Sequence, residues 1–237
     1  MNENGSKIDM YRKICCEVHP PLTLQKVEEA IKKRMQVIDQ EFASGFELVK
    51  KYPRSVTFFG SSRFTHDNEY WKQAVEISER IVKELNYAVV SGGGPGIMEA
   101  GNKGAFEAGG DSLGLIIKLP AEFKGNRYLT DFREFSFFFT RKVMLSFSAE
   151  TSIFFPGGFG TMDELFEILT LIQTRKIPRV PVILVGKKHW DKVDEFIRET
   201  LFKEINAIDE EDMDIYRILD SADEIIEIIR NAPLRKE

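Results

Sequence analysis

The chain has 237 residues, enough for one large domain or one domain with an extension. Its 33 lysines and arginines against 38 aspartates and glutamates leave a net charge of −5, which argues against nucleic acid or an anionic membrane as partner. With 43% hydrophobic residues, no apolar run near the ~20 residues of a spanning helix, no apolar leader in residues 1–9 and only the adjacent pair Cys15-Cys16, the chain reads as a reduced, cytoplasmic globular protein.

The first predicted element covers residues 22–50. Apolar side chains recur there at Leu24, Val27, Ile31, Met35, Ile38, Phe42, Phe46 and Val49, close to the helical period, with Thr23 as cap and Tyr52-Pro53 as stop. This predicts a long amphipathic helix, kinked near Ser44-Gly45. Residues 1–52 are therefore read as an N-terminal helical extension and 53–237 as the main domain.

From Ser55 the pattern alternates. Strands are predicted at 55–59, 87–90, 112–117, 134–138, 151–155 and 180–185, and helices at 68–85, 97–108, 140–149, 162–174, 189–203 and 221–230. Residues 119–133 are read as irregular. Repeated βα units predict an α/β fold, a Rossmann-like, doubly wound parallel sheet with helices on both faces. Nineteen phenylalanines gather at Phe58-Phe59, residues 135–139 and Phe154-Phe155, each within a short apolar run, and are expected to fill the core.

Ligands in such sheets bind beyond the carboxyl ends of the strands. Three predicted strand ends carry small-residue loops. They are Gly60-Ser61-Ser62, the run Gly92, Gly93, Gly94, Pro95, Gly96, and the run Gly157, Gly158, Phe159, Gly160, Thr161. Glycine admits a phosphate close to the backbone, and a helix N-terminus offers it unpaired N–H groups. Several such turns in one sheet point to a crevice for a phosphorylated small molecule. Neither glycine run completes a dinucleotide fingerprint: the third glycine would fall on Ile97 or Asp163. No Walker A motif is present, and His19, His66 and His189 are scattered, so no metal and no cofactor are expected.

Past Thr161 stand two acidic residues, Asp163 and Glu164, which point in different directions on a helix. One can face solvent and the other the crevice. A carboxylate beside a bound sugar phosphate suits an oxocarbenium-like transition state at the anomeric carbon. The helix macrodipole accounts for one of the two on its own. Arg141 and Lys142 are the cation candidates for holding phosphate or orienting that carboxylate.

The motif P-G-G-x-G-T-x-x-E, present as PGGFGTMDE at 156–164, together with GGGPGI at 92–97 and Arg141-Lys142, resembles the LOG ("Lonely Guy") family over roughly residues 55–205. Members are often labelled lysine decarboxylases. The longer form of this chain is similar to bacterial members of the longer type. The resemblance implies a Rossmann-like phosphoribohydrolase that cleaves the N-glycosidic bond of a nucleoside 5′-monophosphate, AMP or a cytokinin riboside 5′-monophosphate, as a homodimer or larger homo-oligomer. By position it implies Arg141 and Glu164 as the catalytic pair. It places the phosphate turn on Gly157, Gly158, Phe159, Gly160 and Thr161. Substrate contacts fall on Met98, Glu122, Lys142, Asp163 and Thr170, beside the loop positions Gly60, Ser61, Gly93 and Gly94. The family's usual tyrosine is Phe159 here, and its second glutamate is Asp163. A pyridoxal-dependent decarboxylase is not expected, because no lysine stands with an acidic partner for the pyridine nitrogen. The rival reading is a non-catalytic carrier of a nucleotide-like ligand, which has no need of a carboxylate in the crevice.

Overall fold

The structure is a computed structural model that describes residues 23–119 and 125–233. Glu122 and Cys15-Cys16 lie outside the described residues. The chain divides into two units, Met1–Val37 and Ile38–Glu237. In the first, residues 24–37 form the start of helix α1 (Leu24–Lys51), whose entry is capped by Thr23 Oγ1 accepting from Lys26 N at 3.4 Å. The apolar residues Leu24, Ile31 and Met35 are exposed there. The helix runs without a break past Ser44-Gly45.

The second unit holds the rest of α1 and a seven-stranded sheet. Its strands are β1 (Ser55–Phe59), β2 (Ala88–Ser91), β3 (Ser112–Ile117), β4 (Asp131–Phe135), β5 (Thr151–Phe154), β6 (Val182–Leu184) and β7 (Tyr216–Ile218). Every neighbouring pair is parallel, in the order β4-β3-β2-β1-β5-β6-β7. The helices between them are α2 (Glu69–Arg80), α3 (Ile97–Glu107), α4 (Phe138–Ser148), α5 (Phe159–Gln173), α6 (Lys187–Glu195) and α7 (Ala222–Asn231). Wider π-type turns continue α2 over Ile81–Leu85 and α6 over Phe196–Glu204.

Parallel strands covered on both faces send alternate side chains to opposite cores. Phe59, Val90 and Phe154 join one apolar cluster with Leu48 of α1, Met144 of α4, Leu165 of α5 and Trp190 of α6. Phe58, Val89, Ile153 and Phe155 join the other, with Ile77 of α2, Ala100 of α3 and Ile226 of α7. Phe59 and Phe154 stack with centroids 4.5 Å apart, and Phe58 and Phe155 at 6.0 Å, so aromatic pairs pack across the β1–β5 junction on both faces.

Winding proceeds from β1 outward to β4 and then restarts at β5 on the other side of β1. The topological switch point thus lies between β1 and β5, and the connections leaving those two strands diverge above it. Beyond the strands they stay tied, Ser61 N donating to Pro156 O at 3.0 Å, and the connection after β2 joins them through Ile97 N, which donates to Ser61 O at 3.0 Å.

A buried amide holds the neighbouring loop. Asn102 of α3 donates to Ser112 Oγ (2.9 Å) and Leu113 O (3.2 Å), and its Oδ1 accepts from Ser91 Oγ (2.6 Å) and Asn126 Nδ2 (2.9 Å). Asn126 donates its backbone N–H to Gly93 O (2.8 Å) and its amide to Gly94 O (3.2 Å). The glycine run after β2 is therefore fixed from below by a saturated polar network.

Several boundaries differ from expectation. β4 and α4 begin earlier than predicted, which places Phe138 and Phe139 on the first turn of a helix, where both are exposed. The expected core role therefore holds for Phe58, Phe59, Phe135, Phe154 and Phe155 but not for Phe138 and Phe139. β7 was not anticipated.

Replacing Asn102 with leucine removes one hydrogen bond each from the Ser91 hydroxyl, the Ser112 hydroxyl, Leu113 O and the Asn126 amide, all in the buried network. We expect thermal unfolding of Asn102→Leu to show a loss of about 1–3 kcal/mol. An unchanged Tm would mean the network is dispensable.

Candidate active site

A cleft of about 590 Å³ opens at the switch point, over the ends of β1 and β5. Its floor is Phe58, Phe59 and the turn from Gly60 to Arg63; its walls include Gly92, Met98, Phe138, Arg141, the segment from Gly158 to Thr161, Asp163 and Glu164.

The third glycine run opens helix α5. The helix begins at Phe159, three residues before the expected start, with Gly158 as its cap and no side-chain cap bond. Met162 N already donates to Gly158 O at 3.0 Å. The N–H groups of Phe159, Gly160 and Thr161, one turn earlier, have no carbonyl within the helix. Gly158, Phe159 and Gly160 are exposed at the cleft, and Thr161 is buried against Gly157. This early start moves both carboxylates out of the first turn, so the macrodipole explains neither.

Successive residues of a helix step by about 100°, and that step separates Asp163 from Glu164. Glu164 is 8% exposed and lines the cleft. Asp163 is exposed and pairs with Lys142 at 2.9 Å. Glu167, one turn on, pairs with the same Lys142. On α4 the same step parts Arg141, which faces the cleft, from Lys142, which clamps α4 to α5. Burial opposes the Lys142 charge, but its bonds to Glu167 and Asp163 outweigh that and raise its pKa.

The guanidinium of Arg141 lies against the backbone of Gly92. A Cβ at Gly92 would stand 2.6 Å from Arg141 Nη2 and 2.8 Å from Met98 Sδ, so only glycine leaves that space. Burial lowers the Arg141 pKa from the ordinary guanidinium value, partly countered by Glu164. Burial likewise pushes the Glu164 carboxyl up to about 7, against the pull of Arg141 and Lys142 and aided by Glu167 and Asp163. Arg141 Nε and Glu164 Oε2 are buried without a hydrogen-bond partner in the protein. Both belong to residues that line the cleft.

The cleft therefore gathers Gly60, Ser61, Met98, Arg141, Gly158, Phe159, Gly160, Thr161, Asp163 and Glu164. Gly93 and Gly94 are buried in the loop beneath, and Gly157 sits behind Thr161. Lys142 and Thr170 line a separate, largely apolar groove between α4 and α5, which also touches Phe159 and Asp163. The Thr170 hydroxyl donates to Phe166 O at 2.7 Å. Sequence reasoning did not single out Arg63 and Phe138 as cleft residues, and it gave Phe58 and Phe59 a core role only. The spacing of Phe138 and Arg141, one helical turn, was the available signal. Among the described residues, no group of three or more His, Cys, Asp or Glu side chains is gathered as a metal site requires.

Residues 98–229 match a protein family described as "Possible lysine decarboxylase", a span of more than half the chain. The chain belongs to that family, the LOG family. It is 28% identical over 166 residues to cytokinin riboside 5′-monophosphate phosphoribohydrolase LOG7 of Arabidopsis thaliana, covering 69% of this chain and 72% of that relative. It is 30% identical over 135 residues to LOG5 of the same plant, covering 54% of this chain and 56% of the relative. Among solved structures it resembles TM1055, a structural genomics target, with a TM-score of 0.57 at 25% identity over 75% of this chain and 98% of that one. It also shares its fold with the molybdenum cofactor carrier protein of Chlamydomonas reinhardtii, with a TM-score of 0.57 at 17% identity over 76% and 97% of the two chains.

Pyridoxal chemistry, which the family's description suggests, does not fit these residues. No lysine among the described residues lines the cleft, and Lys142, on the adjoining groove, is held as an ammonium by two carboxylates with its pKa raised. A Schiff-base lysine must lose its proton.

The electrostatics of Glu164 have a consequence for stability. Its folded-state pKa lies above its unfolded value of 4.5, so the folded protein holds the proton more tightly, and stability falls as pH rises from about 4.5 to about 7. We expect Glu164→Gln to be more stable than wild type above neutral pH, by an amount on the order of 3 kcal/mol, and the gap to close toward pH 4.5. Denaturant melts across pH measure this. A gap independent of pH would contradict the placement of the carboxyl.

Proposed function

We propose that the protein hydrolyses the N-glycosidic bond of a purine nucleoside 5′-monophosphate, AMP or a cytokinin riboside 5′-monophosphate, to free base and ribose 5-phosphate. The observation that carries this reading is Glu164: a carboxylate buried at the cleft, with one oxygen free of protein hydrogen bonds and a pKa of about 7, on the helix whose open N-terminus receives anions. Membership of the LOG family supports the same reaction class.

In this reading the 5′-phosphate binds the free N–H groups of Phe159, Gly160 and Thr161, and that remote binding energy orients the ribose. Ionised Glu164 faces the anomeric carbon, where it stabilises the positive charge of the oxocarbenium-like state and takes a proton from the attacking water. The C1′–N9 bond breaks with its electron pair passing to the base. Water supplies the new C1′–O bond and, in sum, the proton the base acquires. Arg141 holds the substrate and assists departure of the base. The reading includes a homodimer or larger homo-oligomer on a cytoplasmic nucleotide pool, and the exposed Phe138, Phe139 and Phe147 favour self-association.

Because the ionised form of Glu164 acts, kcat/KM should rise with pH, about tenfold per unit below a midpoint near 7, and level off above it. A profile that falls through neutrality would instead make Glu164 a proton donor. Chromatography of incubations with AMP and with isopentenyladenosine 5′-monophosphate tests the reaction itself. Free base from wild type, and a loss of about a hundredfold or more in Glu164→Gln, is expected. Tight binding of both nucleotides with no base released would overturn hydrolysis in favour of a carrier.

A further inference from the structure

Glu41 of α1 is 6% exposed, yet it does not line the cleft. Burying a carboxylate is costly unless its oxygens are hydrogen-bonded, and an apolar side chain packs a helix interface more cheaply. Its bonds explain its presence. Oε1 accepts the backbone N–H of Ser136 at 2.5 Å, and Oε2 accepts the Thr140 hydroxyl at 2.6 Å. Both partners belong to the entry of α4, whose own cap position, Phe137, offers no side-chain bond. A carboxylate delivered by another helix thus sits at the positive end of α4 and ties both the residue before its cap and a side chain of its first turn to α1.

The contact continues along one face. Glu41, Gly45 and Leu48, spaced four and three residues apart, are all buried, and Gly45 lets α1 approach the Met144 side chain of α4 closely. The residue directly after Thr140 is Arg141. Its guanidinium must reach the narrow space over Gly92, so a small rotation or slide of α4 displaces it from the cleft.

We propose that Glu41 is a positioning residue: by anchoring the entry of α4 through Ser136 and Thr140, it sets the helix so that Arg141 stands over Gly92, facing Glu164. The kinetic consequence rests on the proposed hydrolysis, whereas the geometric one does not.

The test is a double-mutant cycle read on Glu164 itself, by carboxyl carbon NMR titration of wild type, Glu41→Leu, Arg141→Met and the double variant. If Glu41 acts through Arg141, Glu41→Leu raises the Glu164 midpoint in the wild-type background and leaves it unchanged where Arg141 is already gone. An unmoved midpoint, or an equal shift in both backgrounds, overturns the proposal. Should Glu41→Leu fail to fold, Thr140→Val, which removes one of the two bonds, is carried through the same cycle with the same criteria. Kinetics with AMP form the second readout. Displacing Arg141 lowers kcat/KM about a hundredfold, and Glu41→Gln, which keeps an acceptor, recovers most of it. A loss that instead tracks the folded fraction overturns positioning. If wild type releases no base, the hydrolase reading fails, and the titration cycle alone decides the role of Glu41.

Discussion

Where the sheet reverses its winding, between β1 and β5, the connections leaving the two strands run apart and cannot both cover the strand ends. What fills the gap must be backbone that packs closely without side chains. The turn at Gly60 and Ser61 and the turn at Gly157 and Gly158 do this, joined by the bond from Ser61 N to Pro156 O. The stacked phenylalanine pairs below give that junction a stiff apolar floor. An open helix N-terminus and a buried carboxyl, both on α5, and a guanidinium on α4 are then brought over one floor by two different connections.

The chemistry depends on two adjacent pairs of residues that the helical step divides between tasks. Arg141 and Glu164 turn into the cleft, where burial weakens the hold of each on its charge. Lys142 and Asp163, their immediate neighbours, join α4 to α5, Asp163 at the cleft's edge, with Glu167 as the second acceptor. The clamp keeps the helices in register while leaving the catalytic candidates free of strong ion pairs. Were Arg141 and Glu164 directly bridged, the carboxyl would be held ionised but engaged, and less able to respond to charge forming on a ligand.

Much of this was legible in the sequence for a physical reason. Tight turns at strand ends need glycine, so the loops near Gly60, Gly92 and Gly157 announce themselves. The divergence of Asp163 and Glu164 follows from helix geometry alone. The start of α5 was misplaced because glycines read as loop, whereas Gly158 and Gly160 form the cap and the first turn. Phe138 and Phe139 were misjudged because an apolar run does not reveal which residues begin a helix and so face outward. β7 is three residues long with Arg217 at its centre, too short to show a period. Glu41 and Asn102 were invisible for a common reason: in sequence, a polar residue on a helix looks like a solvated face, and its buried partners are distant in the chain.

The central claim is that water attacks the anomeric carbon of a bound nucleotide beside Glu164. The most direct measurement is hydrolysis of AMP in ¹⁸O-enriched water, with mass analysis of the products. The expected result is unlabelled adenine and ribose 5-phosphate carrying the label on its anomeric oxygen, with none in phosphate. Adenosine with labelled phosphate would place the attack at phosphorus and contradict the account, as would AMP recovered intact.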